Sequence, residues 1–306
     1  MKTGVSILGI FVADTAYLAP RMPALGETIT GSGFSFGPGG KGSNQAVAAA
    51  RAGAQVSFIS KIGRDTFGDL ALKTYEEAGV TAKLTVMDDQ PTGAAFIYVN
   101  DSTGDNAIIV YAGAAGTIGA GDVEAARDTI AQSSVFVTQL EQPVEAARYA
   151  LEIARGAGVT TIFNPAPAEA FPEDIYSLCD FIIPNETEAA ALVGFPIDTI
   201  DHAERAGEIF LSRGVGVAII TLGGRGVLFH APGQSVHVPA VSCGPTADTT
   251  GAGDAFVGGF AAALSRGAGP LQAVRFGCTT AGIAVTRRGT APAMPMLSEI
   301  EAVMAR

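Results

Sequence analysis

From residue 122 to residue 221, short apolar runs alternate with segments of helical periodicity. We place strands at 135–140, 159–163, 181–184 and 215–221, and helices at 122–131, 143–156, 172–178, 186–193 and 201–213. Strands that alternate with helices form right-handed βαβ units, and these units build a mainly parallel sheet with helices on both faces. This alternation predicts a three-layer α/β/α fold.

The segments on either side of this region extend the same pattern. The apolar run at 5–12 is typical of a strand that is buried on both faces. A second core strand is predicted at 55–60, and a hairpin of strands at 227–230 and 235–239. Helices are predicted at 43–52, 65–78, 252–264, 271–285 and 297–305.

Two further segments predict a small antiparallel sheet that stands off the main one. Pro and Gly residues divide 13–37 into short pieces, with strands at 27–31 and 33–37. Strands at 92–100 and 106–111 flank the sequence DSTGD, which has the composition of a hairpin turn. These segments, about 13–37 and 92–111, would form a lid. No repeat or linker divides the chain, so we predict a single domain over 1–306.

Composition narrows the classes of function. The net charge of −11 disfavours a non-specific nucleic-acid binder, which needs a basic surface. No apolar run approaches the 18 residues of a membrane span, and the apolar N-terminal run is interpreted as a strand rather than a signal peptide. Cys179, Cys243 and Cys278 are isolated in the sequence, which favours reduced thiols in a cytoplasmic protein.

Polar residues follow the predicted strands at regular places. They are Asp14, Glu141, Asn164 and Asn185, and Gly223 follows the strand at 215–221 in the same way. In open parallel sheets, ligands bind beyond the carboxyl ends of the strands. The pattern therefore predicts one site at this edge of the sheet.

The stretch DTTGAGD at 248–254 opens the apolar helix that follows it. A glycine turn before a helix exposes unpaired N–H groups at the positive end of the helix dipole, which favours an anion there. Asp254 lies in the first turn. It is either an ordinary helix-start residue or a base beside a bound phosphate.

A second glycine stretch, GGKGSN at 39–44, lacks the spacing of a phosphate-binding P-loop. Its glycines either expose backbone to a hydroxylated ligand that Lys41 and Asn44 bind, or form a tight turn capped by Ser43 or Asn44. No G-x-G-x-x-G follows the first strand, which counts against a dehydrogenase.

Several motifs of this chain resemble those of the PfkB (ribokinase-like) family of carbohydrate and nucleoside kinases, and they occur in the same order. Within the family they are most similar to the bacterial ribokinase branch. The two signatures are GGKGSNQAVAAARAGAQVSFISKIG at 39–63 and DTTGAGDAFVGGF at 248–260. The others are GET at 26–28, QLEQP at 139–143, NPAPA at 164–168, PNETEA at 184–189, TLGGRGV at 221–227 and AVTRRG at 284–289.

The resemblance implies a ribokinase-like fold and an ATP-dependent sugar kinase, and it assigns roles to residues. Asp254 would be the general base, and the backbone amides of Gly251, Ala252 and Gly253 would stabilise the moving phosphoryl group. Mg²⁺ would be held, largely through water, by Asn185 and Glu188. Their i, i+3 spacing also fits a capping box, and the two roles are compatible.

The remaining assignments follow the same resemblance. The sugar would contact Asp14, Gly40, Lys41, Asn44, Glu141 and Asp254. ATP would contact Asn185, Thr221, Gly223, Gly226, Gly253 and Cys278. An activating K⁺ would bind the side chain of Asp248 and the carbonyl groups of Thr250, Ala284, Arg287 and Gly289.

Two residues depart from the ribokinase pattern. Val12 stands where ribokinases have an Asn that binds the sugar, and Ala293 stands where they have a Ser that binds the cation. The resemblance as a whole implies transfer of the γ-phosphoryl group of ATP to a sugar, with D-ribose and its 5-phosphate as the first candidate, whereas Val12 favours a different substrate. The alternatives are another sugar, a sugar acid, a nucleoside, or a non-catalytic regulator. The resemblance also implies a homodimer that forms through the lid.

Overall fold

Nine strands form one sheet through the middle of the molecule in the computed structural model, which describes residues 2–306. Their order is β13-β12-β11-β10-β9-β8-β1-β4-β5. All neighbours from β11 to β5 are parallel, and β12 and β13 add an antiparallel hairpin at one edge. The bounds are β1 Val5–Leu8, β4 Val56–Gly63, β5 Thr81–Met87, β8 Val135–Thr138, β9 Thr160–Phe163, β10 Phe181–Ile182, β11 Val217–Thr221, β12 Val227–Ala231 and β13 Gln234–Val238.

Helices cover both faces of this sheet. They are α1 Lys41–Arg51, α2 Thr66–Ala78, α3 Ala120–Ala125, α4 Arg127–Gln132, α5 Val144–Gly156, α6 Glu186–Val193, α7 Ile200–Ser212, α8 Ala252–Ser265, α9 Pro270–Ala284 and α10 Leu297–Met304. Successive residues of a strand point to opposite faces of the sheet and so belong to different hydrophobic cores. Val135 and Val137 lie in the core formed with α1, α2, α8, α9 and α10, whereas Phe136 lies in the core formed with α3 to α7. The predicted three-layer α/β/α class is confirmed.

A separate sheet of four strands, the lid sheet, has the order β3-β2-β6-β7. Its strands are β2 Val12–Ala19, β3 Gly33–Gly39, β6 Thr92–Asn100 and β7 Asn106–Gly113. Its two outer pairs are antiparallel as predicted, but β2 and β6 are parallel. The reason is that both follow parallel strands, β1 and β5, and leave the main sheet at the same edge.

Four predicted elements differ in the structure. The run 5–12 is divided, because the chain leaves the main sheet after Leu8 and enters the lid sheet at Val12. The helix at 122–131 breaks at Ala126 into α3 and α4. The segment 172–178 forms a 3-10 helix, Glu173–Leu178, rather than an α-helix. Residues 27–31 form no strand; the Glu27 carboxylate instead binds Arg21 and the Ala24 amide.

Two strands were not predicted. One is β2, of which only Val12 lies in the predicted run 5–12, and the other is β5. Most of its side chains are exposed, so it carries no run of buried apolar residues that would reveal it. A further result is that no helix in the described part of the chain has both the length and the apolar character to span a bilayer.

A close crossing of α1 and α8 positions the functional residues. A Cβ added at Gly258 of α8 would lie 2.5 Å from the Ala48 Cβ atom and 2.6 Å from the Gln45 carbonyl oxygen of α1. Only glycine permits this approach. The crossing brings the N-terminal halves of both helices to the same edge of the sheet, beside the start of the lid.

Candidate active site

Two glycines start the helices that meet at this edge. Gly40 precedes α1 with φ 90°, and Gly251 precedes α8 with φ 75°. These left-handed angles strongly favour glycine. Neither glycine can supply a side-chain cap. In α8 the Ala252 N–H donates to the Thr249 carbonyl oxygen, whereas the N–H groups of Gly253 and Asp254 have no recorded partner within residues 2–306 and remain available to a ligand.

Asp254 lies in the first turn of α8 and is 8% exposed. The side-chain amide of Asn44 donates to its Oδ2 atom at 3.0 Å, and that of Gln45 donates to its Oδ1 atom at 3.1 Å. Burial raises the pKa of Asp254, while the positive charge of Lys41 and the two amides act in the opposite direction. Both carboxylate oxygens are thus held by α1, which is not what an ordinary helix-start residue requires.

Two more carboxyl groups, both half-buried, lie close enough to Asp254 to interact with its charge. Burial raises the pKa of Asp14 to about 6, and repulsion by Asp254 adds to this effect. Burial raises the pKa of Glu141 to about 7, although Lys41 opposes the shift. The Glu141 Oε2 atom accepts a hydrogen bond from the backbone N–H of Lys41 at 2.7 Å. Together these groups offer several acceptors for the hydroxyl groups of a small ligand.

Lys41 carries the positive charge within this cluster. Burial acts to lower the pKa of its ammonium group, but the nearby carboxylates of Asp254, Glu141 and Glu188 outweigh burial and raise it. Lys41 therefore remains charged and offsets part of the repulsion among the carboxylates.

Asn185 and Glu188 form the capping box that their spacing predicted. The Asn185 N–H donates to the Glu188 Oε2 atom, and the Glu188 N–H donates to the Asn185 Oδ1 atom, both at 2.8 Å. Both residues line the cleft that contains Asp254. Their oxygens are the hard ligands that Mg²⁺ prefers, and one carboxylate suits an ion that keeps water and phosphate in its coordination shell.

Two clefts join at the glycine turn. The larger, about 580 Å³, contains all six residues assigned to ATP: Asn185, Thr221, Gly223, Gly226, Gly253 and Cys278. The smaller, about 150 Å³, contains Lys41, Glu188, Gly251 and Asp254. Asn185, Thr221, Ala252 and Gly253 line both. A long ligand can therefore extend from the larger cleft to Asp254.

Part of the larger cleft was not predicted. Residues 240–244 form one of its walls, and a Cβ added at Gly282 of α9 would lie 2.2 Å from the Val241 carbonyl oxygen. This loop has neither periodicity nor a motif, so only its packing against α9 reveals it.

The residues assigned to a monovalent cation also come together. The Asp248 carboxylate accepts the N–H groups of Thr250 and Gly289, at 2.9 and 3.0 Å. It thus joins the segment before the glycine turn to the segment that contains Ala284 and Arg287. Ala293 follows nearby in a short 3-10 helix and is 2% exposed.

Sequence reasoning also missed a buried group of amides behind Asp254. Gln45 and Gln139 are fully buried, and both are hydrogen-bonded in a chain that includes Asn164. Glutamines within otherwise apolar segments could have indicated a buried polar network. Nothing in the local sequence, however, shows that these three residues contact one another.

An α/β fold in which a cleft of about 580 Å³ leads past a helix N-terminus to a buried carboxylate is the arrangement expected of a small-molecule kinase. The family described as "pfkB family carbohydrate kinase" matches residues 2–297. The chain belongs to this family of carbohydrate kinases.

Individual relatives match almost end to end. Ribokinase of Haemophilus influenzae is 38% identical over 300 residues, which cover 98% of this chain and 97% of the relative. Deoxyribokinase of Salmonella typhi is 34% identical over 299 residues, 96% of each chain. The structure of Arabidopsis thaliana ribokinase complexed with ribose and ATP covers 100% of both chains, with a TM-score of 0.92 and 26% identity.

The raised pKa of Glu141 predicts a stability effect. Its folded value of about 7 exceeds the ordinary 4.5, so this carboxyl destabilises the fold increasingly as the pH rises through that interval. Glu141→Gln should therefore increase the free energy of unfolding at pH 8 by about 1–3 kcal/mol, with a smaller gain at pH 5. Urea denaturation at both pH values measures this difference.

The matched control is Glu145→Gln, because Glu145 is an exposed carboxylate of α5. It should change stability by less than about 0.5 kcal/mol at either pH. A parent protein as stable as Glu141→Gln at pH 8 would contradict the prediction.

Proposed function

We propose that the protein transfers the γ-phosphoryl group of ATP to a hydroxyl of D-ribose, forming D-ribose 5-phosphate. The observation that carries this proposal is the position of Asp254, which is buried in the smaller cleft next to the glycine turn and is held by α1 on both carboxylate oxygens. The ribokinase relatives, and the ribose and ATP complex of one of them, support the choice of substrates.

In this proposal Asp254 accepts the proton of the attacking hydroxyl. The amides of Gly251, Ala252 and Gly253 at the start of α8 would stabilise the charge of the phosphoryl group. The Ala252 N–H, which donates to the Thr249 carbonyl oxygen at 3.1 Å, would exchange that bond for one to the phosphoryl group. Asp14, Gly40, Lys41, Asn44 and Glu141 hold the sugar. Phosphoryl transfer depends mostly on positioning and electrostatics, so these roles suffice for the chain's own residues.

ATP occupies the larger cleft, with its phosphates directed toward the glycine turn. Asn185 and Glu188 lie beside that path and would hold Mg²⁺, which supplies positive charge to the phosphate oxygens when bound. A non-catalytic regulator would not need a base and metal residues arranged around one passage, and this arrangement favours the enzyme.

Asp254→Asn tests the base. The carboxylate becomes an amide of the same size, and Asn44, whose Oδ1 atom has no hydrogen-bond partner in the described chain, can turn to accept its new N–H groups. We expect kcat to fall by about 10²–10⁴-fold. Binding of ATP and ribose, measured by calorimetry, should persist. Activity within about threefold of the parent would show that Asp254 is not the base.

A second candidate substrate is 2-deoxyribose, because Val12 replaces a polar residue of the ribokinase pattern. Val12 is 3% exposed and precedes Asp14 by two residues on β2, so both project from the same face of that strand. An apolar side chain leaves no unpaired polar group when a sugar hydroxyl is missing. The similarity to a deoxyribokinase also supports this candidate.

Val12→Asn distinguishes the two sugars. The ratio of kcat/KM for ribose to that for 2-deoxyribose should rise several-fold, which corresponds to about 1 kcal/mol for one added hydrogen bond. Val12→Leu, with the shape of Asn but no polar atoms, should leave the ratio unchanged. If both variants change the ratio equally, Val12 does not determine specificity. Sugar acids and nucleosides complete the assay panel.

We propose that K⁺ activates the enzyme through the loops that Asp248 joins. A cation there would fix the glycine turn whose amides face the phosphoryl group, so the effect should fall on kcat. We expect K⁺ to activate more than Na⁺, and Ala293→Ser to reach full rate at a lower K⁺ concentration. Initial rates against KCl at constant ionic strength measure this. A flat response, together with a fully active Asp248→Ala variant, would refute the site.

We also propose that the chain is one domain that forms a cytoplasmic homodimer through the lid sheet. Its edge strand β7 is unpaired on one side, and Ile108, Ile109 and Tyr111 are 52%, 68% and 57% exposed. Exposed apolar surface and a free strand edge favour association with a second copy. Sedimentation equilibrium at micromolar concentration tests the proposal, and a monomer would contradict it.

A further inference from the structure

Gln45 contacts Asp254 from inside the core, and it is not among the residues that line either cleft. Its side chain is 0% exposed. The two N–H groups of its amide reach the Asp254 Oδ1 atom at 3.1 Å and the Asn164 Oδ1 atom at 3.0 Å. Its own carbonyl oxygen accepts a hydrogen bond from the Gln139 amide at 2.6 Å. Both N–H groups and the carbonyl oxygen of the Gln45 side-chain amide are therefore hydrogen-bonded, to residues of α8 and of the segments after β9 and β8.

The orientation of this amide is determined by a backbone carbonyl. The Asn164 Nδ2 atom donates to the Ile183 carbonyl oxygen at 2.7 Å, and a carbonyl can only accept. The Asn164 Oδ1 atom must then face Gln45. Gln45 must in turn direct its N–H groups toward Asn164 and Asp254. A flipped Gln45 amide would place its oxygen against two acceptors, so Asp254 always receives a donor at Oδ1.

Gln139 ends this series of hydrogen-bonded amides, and one of its own polar atoms is left unsatisfied in the described part of the chain. Its Oε1 atom is buried without a hydrogen-bond partner within residues 2–306. A Cβ added at Gly9 or at Gly42 would lie 2.6 or 2.8 Å from that oxygen, so its surroundings leave it little room to move. An unsatisfied buried acceptor destabilises a fold. Its retention in a tightly packed network is typical of a functional site.

The network connects the base to the sugar residues through one rigid element. Lys41, Asn44 and Gln45 all lie in the first two turns of α1. The helix that carries two of the proposed sugar contacts therefore also carries the group that holds the Asp254 Oδ1 atom. A small displacement of a reacting group can cost about 10²-fold in rate.

We propose that Gln45 is a positioning residue, which fixes the Asp254 carboxylate relative to the sugar hydroxyl by holding its Oδ1 atom while Gln139 and Asn164 fix Gln45. This inference rests on the proposed function, in which Asp254 is the base. Gln45 itself does not touch the substrate.

The charged groups that face Asp254 come from four other elements of the chain. Lys41 of α1 stabilises the carboxylate, whereas Asp14 of β2, Glu141 after β8 and Glu188 of α6 repel it. Gln45 adds a neutral donor that also favours the charged form. Its removal leaves the carboxylates in place and takes away one stabilising contact, so the pKa of Asp254 rises. A base that must be deprotonated then becomes active only at higher pH.

Gln45→Met tests the inference, because Met has a similar length but no amide. We expect kcat to fall about tenfold or more. The acidic limb of the kcat profile against pH should move upward by about one pH unit. The KM values for sugar and ATP should change little, because Gln45 lies behind the base.

Gln142→Met is the matched control. Gln142 is also a buried amide, 3% exposed, and its Nε2 atom donates to the Gln139 carbonyl oxygen and to Thr138. Its recorded bonds include neither Asp254 nor Gln45, so its loss should reduce stability without moving the pH profile. If Gln45→Met and Gln142→Met give the same profile, the positioning role is overturned.

Two further variants keep the inference falsifiable. If Gln45→Met does not fold, Gln45→Leu replaces it, because Leu also lacks the amide that donates to Asp254. A folded Leu variant with unchanged kcat and pH profile would overturn the proposal. Asp254→Asn separates the proposed base from the proposed positioning role.

If Asp254→Asn stays active, the assignment of Asp254 as the base fails, and the positioning role of Gln45 fails with it. If Asp254→Asn is inactive while Gln45→Met matches its control, only the positioning role fails.

Discussion

The packing around the active site depends on one buried carboxylate, Asp254, whose charge the neighbouring residues must stabilise. Removing a carboxylate from water is costly unless charges and hydrogen bonds compensate. Here the compensation comes from α1, through the amides of Asn44 and Gln45 and the charge of Lys41. These contacts require α1 and α8 to cross closely, which Gly258 permits. The site therefore depends on a helix crossing as much as on its own residues.

The parallel sheet explains why the clefts and the lid share one edge. Strands that run in one direction end together, so the residues that follow β8, β10 and β11 gather beside the N-termini of α1 and α8. The lid strands β2 and β6 leave from the same edge, after β1 and β5, and are parallel for that reason. Asp14, on β2, joins the lid to the carboxylate cluster.

Much of this arrangement was accessible from the sequence. The alternation of strands and helices predicted the main sheet, and motif order predicted the family, which the profile match confirms. The residues assigned to ATP lie in one cleft, although their roles stay proposals. Prediction was wrong where local pattern carried little information. Strand β5 has exposed side chains, and the helix at 122–131 breaks at Ala126, which no proline or glycine marks.

The sequence by itself determined the order of elements, the two glycine turns and the identity of the polar residues at strand ends, because these follow from local periodicity and backbone freedom. Only the tertiary structure decided which side chains share the buried space behind Asp254. Gln45, Asn164 and Gln139 come from α1, the end of β9 and the end of β8. Hydrogen bonds between residues more than 90 positions apart depend on how the layers pack, and no local pattern records that packing.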